Sequence, residues 1–248
     1  MTGKFVTGKF VTEKSTRLGP VEVVTLLLVP VVLVGCALAR IEQAAILTLV
    51  VVLAALGVFF AGFESSRPSL RTIMPTVVLA ALAAAGRILF AAIPDVKPVS
   101  AIAIMAGVVF GRRSGFMVGA LAALVSNFFF GQGPWTPWQM YAWGMVGYLA
   151  GVLADWGAFE WRVGKRGVAP VLYVYGFASG LLYGFLLNTW YIVGFVQPFT
   201  IPAALTAYAL GLPLDLIHAT ATVAFLVLLY EPWRVKLGRI KTKYELGT

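Results

Sequence analysis

Residues 77–113 read VVLAALAAAGRILFAAIPDVKPVSAIAIMAGVVFGRR. Two apolar runs are joined by the short loop IPDVKPV (93–99) and closed by the pair Arg112 and Arg113. The first run belongs to a segment, 72–93, with the roughly 20 residues that a helix needs to cross a bilayer. A helix satisfies its own backbone hydrogen bonds, which is the condition for residence in hydrocarbon. The second run, 99–110, is short, so it borrows flanking residues or lies where the fold is thin.

Outward from this hairpin the pattern repeats. Further apolar segments lie at 21–39, 44–63, 116–130, 140–154, 169–194 and 203–230, making eight in all. The expected fold is an all-α polytopic membrane protein. Composition agrees. Of 248 residues 60% are apolar and 12% are charged, against about a quarter charged in soluble domains. The mean hydropathy is +0.90. A water-soluble globule of this size has no way to bury so much apolar surface. The first segment starts late and is followed at once by a second apolar run, so it reads as a span and not as a cleaved signal peptide. The tail before it repeats TGKFV (2–6 and 7–11), to which no function is assigned. Cys36 stands alone in an apolar run and reads as a small core residue.

The net charge of +9 comes from 19 Lys and Arg against 10 Asp and Glu. Sixteen of the basic residues fall in the tails and in alternate loops, among them Arg71, Arg112, Arg113, Lys236 and Lys241. Arg40 and Lys97 fall on the opposite side, and Arg87 lies within a span. By the positive-inside rule both termini are cytoplasmic. The basic balance therefore speaks to orientation in a lipid bilayer and not to nucleic acid. The outer loops IPDVKPV, GQGPWTPWQ (131–139) and VQPFTIP (196–202) are short, proline-rich and nearly uncharged. Trp135, Trp138, Trp143 and Trp190 fall at this face, either as an interfacial aromatic belt or, for the PWTPW pair, as part of a loop stiffened over a site.

Ionisable and amide side chains at membrane depth are costly and mark functional sites. Arg87, Asn127 and Asn188 come late in outward-running spans. Asp215 and His218, three residues apart on one helical face, lie in an inward-running span. Polar groups from four spans thus collect in the outer half, which predicts a cavity open outward and closed toward the cytoplasm. The candidate substrate-binding residues are Arg87, Lys97, Asn127, Gln132, Trp135, Trp138, Gln139, Asn188, Trp190, Asp215 and His218. Two plainer readings stand beside this one: Arg87 and Asp215 pair to staple helices, or His218 simply bonds Asp215 or a backbone carbonyl. One histidine and no suitable cysteine give no metal site. No GxSxG, HExxH or P-loop is present, so an embedded enzyme using Asp215 and His218 is disfavoured, and any ATP is used by other subunits. A self-sufficient secondary transporter stays open, with Gly211–Pro213 as a break beside Asp215.

Ala80 with Ala84, and Ala81 with Ala85, form small-xxx-small pairs, which either pack within the bundle or offer a flat face to a partner. From Thr72 onward, the span-three alanines, the PDVKP loop and the GQGPWTPWQ loop make the chain resemble the substrate-binding S component of energy-coupling factor (ECF) transporters, of the vitamin type. The resemblance implies a six-helix bundle (72–248), preceded by a basic tail and two extra helices (1–71). It implies capture of a vitamin at the outer face of a bacterial plasma membrane, with no covalently bound cofactor. It also implies assembly with a transmembrane coupling subunit and two ABC-type ATPases, docking through Ala80, Ala81, Ala84 and Ala85. Cobalamin is the leading expectation for the vitamin, with flavin and pterin compounds as alternatives.

Overall fold

The structure, a computed structural model, describes residues 19–39, 44–65, 70–159 and 170–243. The TGKFV repeat and the basic residues Lys4, Lys9, Lys14, Arg17, Arg40, Arg67, Arg162, Lys165 and Arg166 lie outside them. The described residues form eight α-helices and no strand. These are α1 (Pro20–Ala39), α2 (Ala44–Ser65), α3 (Leu70–Leu89), α4 (Val99–Phe110), α5 (Arg112–Phe130), α6 (Trp135–Asp155), α7 (Pro170–Phe195) and α8 (Ile201–Lys243). Among the described residues four stretches are long and apolar enough to cross a membrane: Ile46–Ser65, Arg112–Phe130, Pro170–Phe195 and Ile201–Lys243.

Helix α4 shows why the fourth segment is short. It runs only 12 residues and is buried along nearly its whole length. Its neighbours are α3, α5, α6, α7 and α8. A helix enclosed by other helices does not have to match the bilayer thickness. Gly111, at φ 92°, turns the chain between α4 and α5 in a conformation that a side chain disfavours.

Several boundaries differ from the hydropathy reading, and α3 ends at Leu89 instead of 93. α5 begins at Arg112 instead of residue 116, because arginines are good helix formers whatever their polarity. α6 begins at Trp135 instead of 140, so PWTPW is largely a first helical turn and not a loop. Pro137 is tolerated there because the first-turn N–H groups have no helical partner to lose. α8 runs to Lys243 and passes unbroken through Gly211 and Pro213, so the break that a secondary transporter would use beside Asp215 does not form. At 1.5 Å per residue α8 is about 64 Å long, roughly twice the hydrocarbon thickness, and one end must leave it.

Glycines set how closely the helices approach. A Cβ on Gly107 or Gly115 would overlap the carbonyl of Gly147, and one on Gly119 would overlap that of Trp143. On the other side of the bundle, Gly176, Gly180 and Gly184 recur at every fourth residue of α7 and receive Leu226, Ala219 and Asp215 of α8. Without a hydrophobic drive between helices in lipid, such close backbone contact is a main source of association. Gly147→Ala is expected to cost about 1–3 kcal/mol through overpacking. That corresponds to a fall of roughly 2–4 °C per kcal/mol in thermal unfolding of the detergent-solubilised chain, and Gly147→Leu should yield no folded protein.

The two N-terminal helices are fastened at the basic end. Arg112 pairs with Glu22 of α1 at 3.0 Å and with Asp155 of α6 at 3.7 Å, and Arg113 reaches Glu22 at 3.6 Å. Phe59 of α2 stacks on Phe116 of α5 at 4.1 Å. α2 packs on α5, α6 and α7, and α1 on α2 and α7, whereas neither packs on α3 or α8. Cys36 is buried and free, as expected. Many large side chains face outward, including Phe128, Leu210 and Leu228, as a lipid-solvated surface requires.

Candidate functional site

The proline-rich end gathers the polar groups that the sequence placed at depth. Arg87, near the end of α3, is 8% exposed. Its Nη1 donates to Ser126 Oγ at 2.7 Å and to Asn127 Oδ1 at 2.6 Å, both on α5. The guanidinium also lies 4.6 Å from the Phe130 ring centre and 4.8 Å from that of Trp143. Asn127 Nδ2 donates to Thr136 Oγ1 at 3.0 Å and to Gln139 Oε1 at 2.8 Å on α6. Thr136 in turn donates to Gln132 Oε1 at 2.9 Å. Arg87, Asn127, Gln132 and Gln139 therefore form one network across α3, α5 and α6.

From Arg87 an aromatic stack continues across the bundle. Trp143 stacks on Tyr183 of α7 at 4.5 Å, and Tyr183 stacks on His218 of α8 at 4.9 Å. His218 Nε2 shares a hydrogen bond with Ser100 Oγ at 2.9 Å. The indole N–H of Trp143 is buried without a hydrogen-bond partner. Trp138 is fully buried and stacks on Trp190 at 6.1 Å, while its own indole N–H is likewise unpartnered. Buried donors without acceptors are costly, so the Trp143 N–H, whose ring lies against the Arg87 guanidinium, is suited to donate to an oxygen atom of a ligand.

Neither of the two alternative pairings with Asp215 forms. Arg87 makes no ion pair with Asp215, and its hydrogen-bond acceptors are neutral oxygens. Asp215 instead accepts from Asn188 Nδ2 at 2.9 Å. Its carboxylate rests against Gly184. His218 bonds Ser100 and not Asp215, although the two are three residues apart. The reason lies in packing: the α3 backbone packs on α5 and α4 and not on α8, and His218 turns into the core toward α4 while Asp215 stays at the α7–α8 seam.

The remaining candidates sit at the rim. Lys97 donates to the Phe90 and Ile93 carbonyls at 2.7 and 2.9 Å, which caps the end of α3. Trp135 is partly exposed and donates to the Gly131 carbonyl at 3.4 Å. Asp95, at φ 53°, turns the loop over the site. Burial pushes its carboxyl above the usual range, against the pull of Lys97 and Arg87. Burial pushes the Lys97 ammonium down, with Asp95 opposing. The sequence reading missed Asp95, Ser100, Thr136 and Tyr183 as site residues. Asp95 had a signal, a carboxylate two residues from the one outer-loop lysine; Tyr183 had none beyond being a polar aromatic at depth. Among the described residues no cluster of His, Cys, Asp and Glu could hold a metal ion.

The alanine pairs divide between two faces of α3. Ala80 and Ala84 are buried in the chain's own bundle. Ala81 and Ala85 are exposed, in a stripe with Leu70, Met74, Val77 and Leu89.

Comparison with curated proteins and with solved structures finds no match. The family profile described as ECF-type riboflavin transporter, S component, matches residues 67–232, which take in α3 to α7 and most of α8 and leave α1 and α2 outside. With two thirds of the chain matched and the polar network lying inside that stretch, this integral membrane protein belongs to the ECF-type riboflavin transporter S component family.

Proposed function

We propose that the protein binds riboflavin, or a closely related flavin, at the proline-rich end and passes it inward with a coupling subunit and two ABC-type ATPases. One observation carries this reading. Arg87 is buried among neutral oxygens and two aromatic faces and has no ion-pair partner among the described residues. A flavin ring brings a flat π surface and carbonyl oxygens along one edge. Aromatic side chains suit the first, and a guanidinium fork suits the second. Buried aromatic and amide groups of this kind, together with the family's description, favour a flavin over cobalamin, which would rest on the loops as a bulky ligand.

The orientation follows the charges. Arg112, Arg113, Lys236 and Lys241 flank helix ends away from Arg87, and by the positive-inside rule this charge asymmetry supports a reading with that end and both termini in the cytoplasm. All eight helices then belong to the membrane domain, with α4 enclosed by the others.

The test is titration of the purified chain with riboflavin, followed by quenching of flavin fluorescence. One molecule should bind per chain, and cobalamin should not compete. Proteoliposomes holding the chain alone should not concentrate riboflavin, whereas those that also hold the coupling subunit and ATPases should do so when given ATP. Tight binding of cobalamin without riboflavin would overturn the substrate. Concentrative uptake by the chain alone would overturn the transport class.

A further inference from the structure

Substrate capture leaves one feature of the basic end unused. α3 and α8 meet near the proline-rich end, where the rings of Phe90 and Phe225 stand 5.2 Å apart, edge to face. Their backbones do not pack on each other, and toward the basic end they leave a groove of about 540 Å³. Met74, Val78 and Leu82 of α3 line one wall and Trp233 of α8 stands in the other. Leu237 and Ile240 continue the α8 wall, Arg71 and Lys236 add two exposed cations, and neither cation is ion-paired among the described residues.

We propose that this groove binds one anionic phospholipid of the cytoplasmic leaflet. An acyl chain lies between α3 and α8, and the headgroup phosphate sits between Arg71 and Lys236. Three facts favour this occupant. An apolar gap open to hydrocarbon offers water no hydrogen-bond partners, and an acyl chain restores the missing dispersion contacts. From Arg71 to Leu82, α3 rises about 16 Å, close to the depth of one leaflet of a roughly 30 Å core. The two cations in the lining match a phosphate that carries a net negative charge, whereas a zwitterionic headgroup brings its own ammonium.

Trp233 supplies a local readout. The full chain is placed in phosphatidylcholine nanodiscs, and phosphatidylglycerol with brominated acyl chains is added. Quenching that is present in the wild type and absent from Trp233→Phe reports the groove. Phosphatidylglycerol should reach half-quenching at a lower mole fraction than brominated phosphatidylcholine, by about fivefold for each basic residue. Arg71→Gln and Lys236→Gln should each remove about one such factor and leave riboflavin binding unchanged. Leu82→Phe, which fills the groove, should weaken Trp233 quenching by both lipids. Equal quenching by the two lipids overturns the proposal, as does a preference that survives the Arg71→Gln, Lys236→Gln double variant. So does Trp233 that no lipid quenches and that only the coupling subunit shields, since the occupant would then be protein.

Discussion

Arg87→Met is expected to lower riboflavin affinity by about 30-fold to 1000-fold, the loss when one partner of a buried charge-assisted contact is truncated. Stability should change much less, because two effects of opposite sign meet. In the ligand-free chain the guanidinium is buried with neutral acceptors, and an uncompensated buried charge is replaced by an apolar side chain at little or no cost. The change also removes the donor to the buried Asn127 Oδ1 and Ser126 Oγ, which costs about 1–3 kcal/mol and opposes that relief, while Asn127 Nδ2 still donates to Thr136 and Gln139 and Ser126 still donates to the Ala122 carbonyl. Flavin fluorescence quenching reads the affinity, and thermal unfolding in the same detergent reads the fold. Arg87→Lys should fall between, since it keeps the charge and loses the fork. A variant that binds riboflavin as the wild type does would reduce Arg87 to a staple between α3 and α5. Parallel loss of binding and of melting temperature would make the effect one of folding.

The second large effect concerns α3's outer face. Ala81→Trp or Ala85→Trp should abolish assembly with the coupling subunit, and with it ATP-driven uptake, while riboflavin binding by the isolated chain is preserved. Both residues are exposed, so an indole there meets only lipid until a partner arrives. Small residues on such a face let a second helix approach closely, and a bulky one holds it off. Ala84→Trp makes the contrast. Its site is 2% exposed, so the indole overpacks the bundle by at least about 1–3 kcal/mol and should impair binding and folding together. Pull-down of the coupling subunit and flavin titration on the same preparation separate the outcomes. Normal assembly of the Ala85→Trp variant would mean that α3's outer face is not the docking surface. α1 and α2 leave this face clear, because they are fastened to the far side of the bundle through Glu22 and Phe59.

The helices were legible in the sequence for a simple reason. An apolar run of sufficient length has one way to satisfy its backbone in lipid, so every expected segment is a helix. The boundaries were less legible, because hydropathy reports the solvent and not the backbone. Arg112 and the PWTPW turn are polar or proline-bearing and still helical. The site was half legible. Polarity at depth singled out Arg87, Asn127, Asn188, Asp215 and His218, since each is expensive there. It did not give their partners. Sequence spacing put Asp215 next to His218, yet one faces Asn188 and the other Ser100.

By itself, then, the sequence determined a polytopic helical membrane protein, its charge asymmetry and the residues that need an explanation at depth, because these follow from what each residue costs in lipid. Only the tertiary structure decided that Arg87 meets α5 and not Asp215, that Trp143 and Tyr183 carry the aromatic path from Arg87 to His218, and that Ala81 and Ala85 face out while Ala80 and Ala84 face in. Which helices become neighbours depends on how their surfaces fit, above all on where glycines let backbones close in, and that is a property of pairs of helices that no single run of residues carries.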